Sequence, residues 1–296
     1  MGTINGADTA LVLVSAAFVF IMTPGLAFFY GGLARRKNIL SLMMQSFIAM
    51  GLVALVWFFG GFSLTFGHDV GGLLGGLEYF ALRGVGMAPS SAYAPTIPFL
   101  AFFLYQMMFV IITPALITGA FAGRMKFSSY LIFLVLWVIL VYVPVAHWSW
   151  DIGGWMERLG FVDFAGGVVV HVTAGAAARA WVNSMLSAAA AMMTWLFADR
   201  IENGKFGAVA PLVGAVVGSI LVGVFAQKSV NGISGLIEGN WRQFGVQVLG
   251  VVVCFVFSFV VTMLILKIMN AIHPIRVSEG VEAKGLDMGE FGEQAY

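Results

Sequence analysis

Apolar residues along this chain neither alternate nor form narrow stripes. They run almost unbroken through long stretches separated by short polar punctuation. A helix needs about 20 largely apolar residues to cross the hydrocarbon core of a bilayer. By that measure seven stretches qualify: 10–32, 39–66, 96–122, 128–145, 164–198, 206–226 and 244–272. The fifth is too long for one untilted span and too short for two spans with a turn. The pattern predicts an all-α polytopic membrane protein of about seven transmembrane helices.

An odd number of spans places the termini on opposite sides, and the basic residues assign the sides. With the N-terminus outside, Arg35, Arg36, Lys37, Arg124, Lys126, Arg200, Lys205, Lys267, Arg276 and Lys284 face inward. Only Arg83, Arg158, Lys228 and Arg242 face outward. The bias predicts an N-out, C-in arrangement, anchored by the turn Ala34-Arg35-Arg36-Lys37-Asn38. The chain then divides into a membrane domain, 1–275, and a polar, acidic cytosolic tail, 276–296, either flexible or docked on the inner loops. The first residues lack the basic segment of a secretory signal, so the first apolar run is read as a retained span.

Composition agrees. Hydrophobic residues make up 60% of the chain, charged residues 10%, and the mean hydropathy is +0.97. Soluble domains are nearer half apolar and a quarter charged. A net charge of +1 gives no reason to expect a nucleic-acid partner. The lone cysteine, Cys254, excludes an internal disulfide and reads as a small apolar-environment residue.

Soluble-enzyme constellations are missing: there is no phosphate loop and no His-Glu-x-x-His. His68, His147, His171 and His273 fall in different segments without metal-ligand spacing, so no metal or cofactor is expected. His147, at the outer end of the fourth run, reads as a local hydrogen-bonding residue. The informative stretch is Asp163-Phe164-Ala165-Gly166-Gly167 leading to His171. As a helix it puts His171 about 12 Å deeper than Asp163, and about 80° around the axis. That separation is too large for an acid–base dyad, which excludes an intramembrane enzyme built on the pair. An ionisable group at such depth points to function, although a histidine satisfied by a neighbouring helix has the same sequence. Small residues flank it, including Gly166, Gly167, Ala174 and Gly175. They fit both close helix packing and a narrow apolar conduit. Arg179 is the single charge between 164 and 198.

Three separated motifs carry a family resemblance. Met22-Thr23-Pro24-Gly25-Leu26-Ala27-Phe28-Phe29-Tyr30-Gly31-Gly32, followed by Arg35-Arg36-Lys37-Asn38, is similar to the first-span signature of the ammonium transporter (Amt/Mep/Rh) family. So is Asp163-Phe164-Ala165-Gly166-Gly167 with His171. The tail, from Arg276-Val277-Ser278-Glu279 to Gly292-Glu293-Gln294-Ala295-Tyr296, resembles that family's cytosolic ending. The resemblance implies ammonium or ammonia transport across the plasma membrane by a homotrimer, each protomer with its own hydrophobic pore. It implies Phe109 as an aromatic gate and Trp150 as part of an outer site that recruits the cation. It implies Asp163 as that site's electrostatic and structural support, and His171 as one of two stacked pore imidazoles. A PII-type regulatory protein is the implied reader of the tail.

The departures from the family pattern are equally specific. The family has eleven spans and about a hundred more residues. After Ala178 the resemblance passes to the equivalent of the seventh span, and after Lys205 to the tenth. The second pore histidine would fall near Pro211, and Gly123 stands where a glutamate is common. The expectation is an incomplete ammonium transporter fold. The competing reading is a non-conducting, deletion-derived or artificial relative that inserts and only binds, senses or associates.

Overall fold

In the computed structural model residues 2–185 and 210–295 are described. Five helices are long and apolar enough to span a membrane: α1 (Gly6–Leu33), α2 (Arg36–Phe66), α3 (Phe99–Phe121), α4 (Phe127–Arg158, interrupted at 151–154) and α7 (Trp241–Ile272). Between α4 and α7 lie two shorter helices. α5 opens with a π-turn at Gly167–Val172 and continues through Thr173–Met185; α6 is Ala210–Phe225. The expected fifth and sixth spans coincide with α5 and α6, but residues 186–209 lie outside the described residues. Pro211 is in the first turn of α6, where a missing N–H costs nothing. The described architecture is the all-α membrane bundle the apolar runs predict.

α1 packs on α2 and α3, α5 packs on α7, and α6 lies against α7 and the π-turn that opens α5. Along α7 the division of faces is explicit. Val252, Val256, Val260 and Leu264 are exposed at four-residue spacing. Gln247, Val251, Cys254, Ser258, Thr262 and Ile265 are buried. The exposed face is apolar and the buried face mixes apolar with polar residues, as on a helix in contact with lipid on one side and protein on the other.

Lipid tails are as apolar as leucine, so helix association rests on packing and interhelical hydrogen bonds. Trp137 Nε1 donates to Thr262 Oγ1 at 3.0 Å, Tyr130 OH to the Gln45 carbonyl at 2.9 Å, and Tyr30 OH to the Leu116 carbonyl at 2.9 Å. Small residues permit the tightest approach. A Cβ on Gly223 of α6 would sit 2.8 Å from Gln247 Cγ and 3.1 Å from the Phe244 backbone of α7. That distance is a clash, so the glycine is required there.

Proline shapes two helices. Pro144 cannot donate to Leu140 and its ring crowds that carbonyl, and α4 accommodates it with a π-turn at Val138–Tyr142. Pro114 ends the regular part of α3 at Ala115, and Thr113 Oγ1 donates back to the Phe109 carbonyl at 2.6 Å. α4 also continues further outward than the apolar run predicted. Its helix reaches Trp150, with His147 in its last turn fully buried and hydrogen-bonded, in keeping with the local hydrogen-bonding role read from the sequence.

The connection from α2 to α3 folds into two small antiparallel hairpins. β1 (Asp69–Val70) pairs with β2 (Leu74–Gly75), and β3 (Pro89–Ser90) with β4 (Ala94–Pro98). Arg158 Nη2 reaches across to Asp69 at 2.9 Å, tying this connection to the end of α4.

The tail is docked. Its helix α8 (Glu279–Lys284) is capped by Ser278. Lys37 Nζ donates to the Glu282 and Ala283 carbonyls at 3.0 and 2.6 Å, and Arg276 pairs with Glu282. Asp287, fully buried, accepts from the Leu40 and Ser41 amides at 3.0 and 2.7 Å and so supplies the cap that α2 lacks locally. Gly123 has a φ of +71°, and a Cβ there would lie 2.4 Å from Asn38 Nδ2. Both features favour glycine over the glutamate that the family pattern suggests at this position.

Candidate functional site

Asp163 lies in the connection before α5, and its carboxylate turns toward the helix. Its two oxygens accept from the backbone amides of Gly167 at 2.7 Å, Val168 at 3.0 Å and Val169 at 2.9 Å. These are amides of the first turn, which have no partner within the helix. The turn depends on two glycines. Gly166 has a φ of +77°, and a Cβ on Gly167 would meet Ser219 Oγ of α6 at 2.6 Å. The Asp-Phe-Ala-Gly-Gly motif is therefore a carboxylate cap, a left-handed turn and a close helix approach in sequence. Burial pushes the Asp163 carboxyl above the usual carboxylate range, and the amide donors offset this only in part.

Gln247 fixes the strand of chain leading into this turn. Its Oε1 accepts from the Val162 amide at 2.8 Å. Its Nε2 donates to the carbonyls of Val162 at 2.9 Å and Ser219 at 3.0 Å. One buried carboxamide on α7 thus holds both the residue before Asp163 and the helix behind it.

A cavity of about 340 Å³ opens beside the turn, bordered by Phe102, Tyr105, Gln106, Phe109, Trp150 and Asp163 among others. Trp150 Nε1 donates to the Asp163 carbonyl at 2.8 Å. The Trp150 and Phe109 rings meet edge to face with centroids 6.1 Å apart, and Tyr105 meets Phe109 in the same way at 5.0 Å. Three of the four residues singled out from the sequence, Phe109, Trp150 and Asp163, therefore share one cavity. The fourth, His171, does not border it. It follows on the π-turn of α5 with its side chain exposed, between buried Val170 and Val172. Arg179, further along α5, is half-buried and engaged in an interaction.

The outer wall is braced by a polar network. His147 is fully buried between two oxygen acceptors, the Thr65 carbonyl at 2.7 Å from Nδ1 and Asp69 Oδ1 at 3.1 Å from Nε2. Tyr93 borders the cavity and its hydroxyl donates to Asp151, whose other oxygen accepts from the Gly153 amide at 2.7 Å. Burial and the neighbouring Asp151 carboxylate raise the Tyr93 hydroxyl well above the usual phenol range. Among the described residues no group of three His, Cys, Asp or Glu side chains is placed to hold a metal ion. The sequence reading missed Gln106, Gln247, Tyr93 and Asp151. The two glutamines carried a usable signal, being polar residues inside long apolar runs.

Apolar helices around an aromatic, acid-braced outer cavity define a polytopic helical membrane protein. The Ammonium Transporter Family model matches residues 10–181 and 209–296, and the chain belongs to that family, which consists of transporters rather than enzymes. It is 33% identical over 399 residues to the ammonium transporter of Bacillus subtilis, covering 98% of each chain. It is 33% identical over 404 residues to a putative ammonium transporter of Methanothermobacter thermautotrophicus, covering 99% of each. The crystal structure of Candida albicans Mep2 is similar with a TM-score of 0.76 at 26% identity, covering 94% of this chain and 87% of that one.

The shortening is also visible. The first of these alignments spans 399 residues against 296 in this chain, and the family model leaves 182–208 unmatched. That interval begins near Ala178 and ends near Lys205, the two junctions read from the sequence. It also contains nearly all of the internal residues outside the described structure.

Proposed function

We propose that this membrane protein passes ammonium nitrogen inward, recruiting the cation at the cavity shared by Phe109, Trp150 and Asp163. The observation that carries the reading is that shared cavity. Its aromatic faces attract a cation more strongly as water is removed. The acid behind it, held at the start of α5, contributes negative charge. His171, beyond the cavity on α5, accepts a proton or an N–H donor from the nitrogen on its way inward. Losing the charge before the apolar stretch avoids carrying it bare through hydrocarbon.

The same reading places the chain in the plasma membrane, N-out and C-in, as a homotrimer whose docked tail meets a PII-type regulator. Family membership and the basic-residue bias support these assignments. Uptake of radiolabelled methylammonium into cells lacking their own carriers tests the transport itself. Uptake above the empty-vector level is expected from the parent chain, with a reduction in His171→Ala. Equal uptake by parent and His171→Ala would remove the histidine from the path.

The shortening favours a second reading: a relative that inserts and binds but does not conduct. Good membrane expression with uptake no higher than the empty vector, together with retained cation binding, would establish it. A pull-down comparing the full chain with one lacking 276–296 tests the regulator, whose recovery should depend on the tail.

A further inference from the structure

His147 lies in the last turn of α4, one turn before Trp150, and both nitrogens of its buried ring face oxygen acceptors. Nδ1 is 2.7 Å from the Thr65 carbonyl, which can only accept, and Nε2 is 3.1 Å from Asp69 Oδ1. Both oxygens of Asp69 already receive donors, the Gly72 amide at 2.6 Å and Arg158 Nη2 at 2.9 Å. A neutral imidazole has one N–H. Either neutral tautomer therefore turns a ring lone pair onto an oxygen lone pair, where a lost buried hydrogen bond is costly. A ring with two protons makes both bonds. It also sets a positive charge 3.8 Å from Asp151 Oδ2, a second buried carboxylate. The surrounding charges fit. Asp69 and Asp151 are joined in this region by Glu78, which accepts from the His68 amide, and by Glu157 on the helical turn 155–158. Tyr93 donates to Asp151, and the Tyr79 phenol lies within reach of the same charge. These four carboxylates face one guanidinium, Arg158, and a second cation in their midst has to be the ring.

We propose that the second proton on His147 is a latch between α4 and the connection from α2 to α3, and that an alkaline outer solution releases it. The latch joins three segments: Thr65 at the end of α2, Asp69 on β1 and the turn of α4 that carries Trp150. When the ring gives up a proton it keeps one bond and loses the other. The shorter bond, to Thr65, is the one retained, and Asp69 is let go. The β1–β2 hairpin then depends on the exposed Arg158 pair and on Trp148 Nε1, which donates to the Leu73 carbonyl at 2.9 Å. Asp151 loses its neighbouring positive charge at the same moment, and Tyr93, which borders the cavity, is bonded to Asp151. His147 is thus a positioning residue through which the outer wall of the cavity follows the proton concentration outside. The inference goes beyond the recruiting role of the cavity and does not depend on it.

Nitrogen-15 resonances of the purified full chain, labelled at its four histidines, test the latch from about pH 6 to about pH 9.5, without ammonium. The thermal midpoint is followed on the same samples. The His147 signal is the one lost in His147→Asn or, should that variant fail to fold, the one that moves in Asp69→Asn. In the parent both ring nitrogens are expected to be protonated at neutral pH. The midpoint should fall by a few degrees as the second proton leaves, the size of one hydrogen bond to a charged partner. Asp69→Asn offers an amide that donates to the unprotonated Nε2, so it should show a singly protonated ring at neutral pH and no alkaline fall. A parent ring with one proton at neutral pH overturns the latch. So does a fall of the same size in parent and Asp69→Asn, which would place the alkaline release elsewhere, and so does a parent midpoint that stays level while the ring titrates.

Discussion

Trp150 and Asp163 are joined through the backbone: the indole Nε1 donates to the Asp163 carbonyl at 2.8 Å, while the Asp163 carboxylate points the other way into the first turn of α5. The two halves of Asp163 thus perform different tasks. Its main chain orients the aromatic wall of the cavity, and its side chain holds the helix that leads to His171. A substitution at this position acts on both through one turn.

Asp163→Ala removes a carboxylate from three amides and leaves those N–H groups buried without an acceptor. A loss of about 2 kcal/mol or more is expected, with Asp163→Asn losing less because one oxygen still accepts. Reversible unfolding in mixed micelles measures both. Equal stability of parent and alanine variant would show that the cap contributes nothing.

Gln247→Leu is volume-conserving and removes the three bonds that hold Val162 and Ser219. The Val162 amide and both carbonyls are then stranded in a buried setting, at an expected cost of about 2 kcal/mol. Gln247→Glu keeps the acceptor for Val162 but sets its second carboxyl oxygen against the buried Val162 and Ser219 carbonyls, so it should be no more stable than Gln247→Leu. The same unfolding measurement ranks the three chains, and any other order refutes the clamp.

The spans were legible because nothing but a bilayer accommodates apolar runs of that length. Phe109, Trp150 and Asp163 could be named because the motif order carried them. Their convergence could not be read, since it depends on the left-handed turn at Gly166 and the close approach of Ser219 to Gly167. The apolar run ends at Val145, short of the end of this part of α4 at Trp150, because polar His147 and Ser149 interrupt it. The burial of His147 follows from partners at Thr65 and Asp69, on a segment about eighty residues earlier. The dock of Asp287 on α2 was invisible for the same reason: the amides it caps lie at the opposite end of the chain.

Asp69 gives a pH dependence with a definite sign. Burial alone would push its carboxyl up, but the His147 hydrogen bond, the Gly72 amide and the Arg158 guanidinium outweigh that and hold it below the usual carboxylate range. A group whose folded pKa is depressed contributes stability that is present above its unfolded pKa, near pH 4, and is lost as pH falls through the folded value. The parent's advantage over Asp69→Asn in thermal unfolding should therefore be constant from neutral pH to about pH 5 and shrink below that. An advantage that grew on acidification would contradict the ion-paired arrangement.

Asp287→Ala tests whether the tail is held by its cap on α2. The substitution leaves the Leu40 and Ser41 amides without their acceptor and removes a buried anion from the positive end of a long helix. Loss of a helix cap costs about 1 kcal/mol, enough to raise the undocked fraction of the tail about fivefold. Lys37 on the α8 carbonyls and Arg124 near Glu282 are partly exposed and hold the tail less firmly, which leaves the buried bond from the Leu286 amide to Asn38 Oδ1, at 2.9 Å, as the main side-chain anchor still in place. Limited proteolysis of the purified chain should therefore cut within 276–296 several-fold faster in Asp287→Ala than in the parent. The thermal midpoint of the membrane helices should move little, because α2 is otherwise held by its packing against α1 and α3. Unchanged cleavage would mean that the Leu286–Asn38 bond and the backbone pairing of Met125 with Arg276, and not the cap, carry the dock.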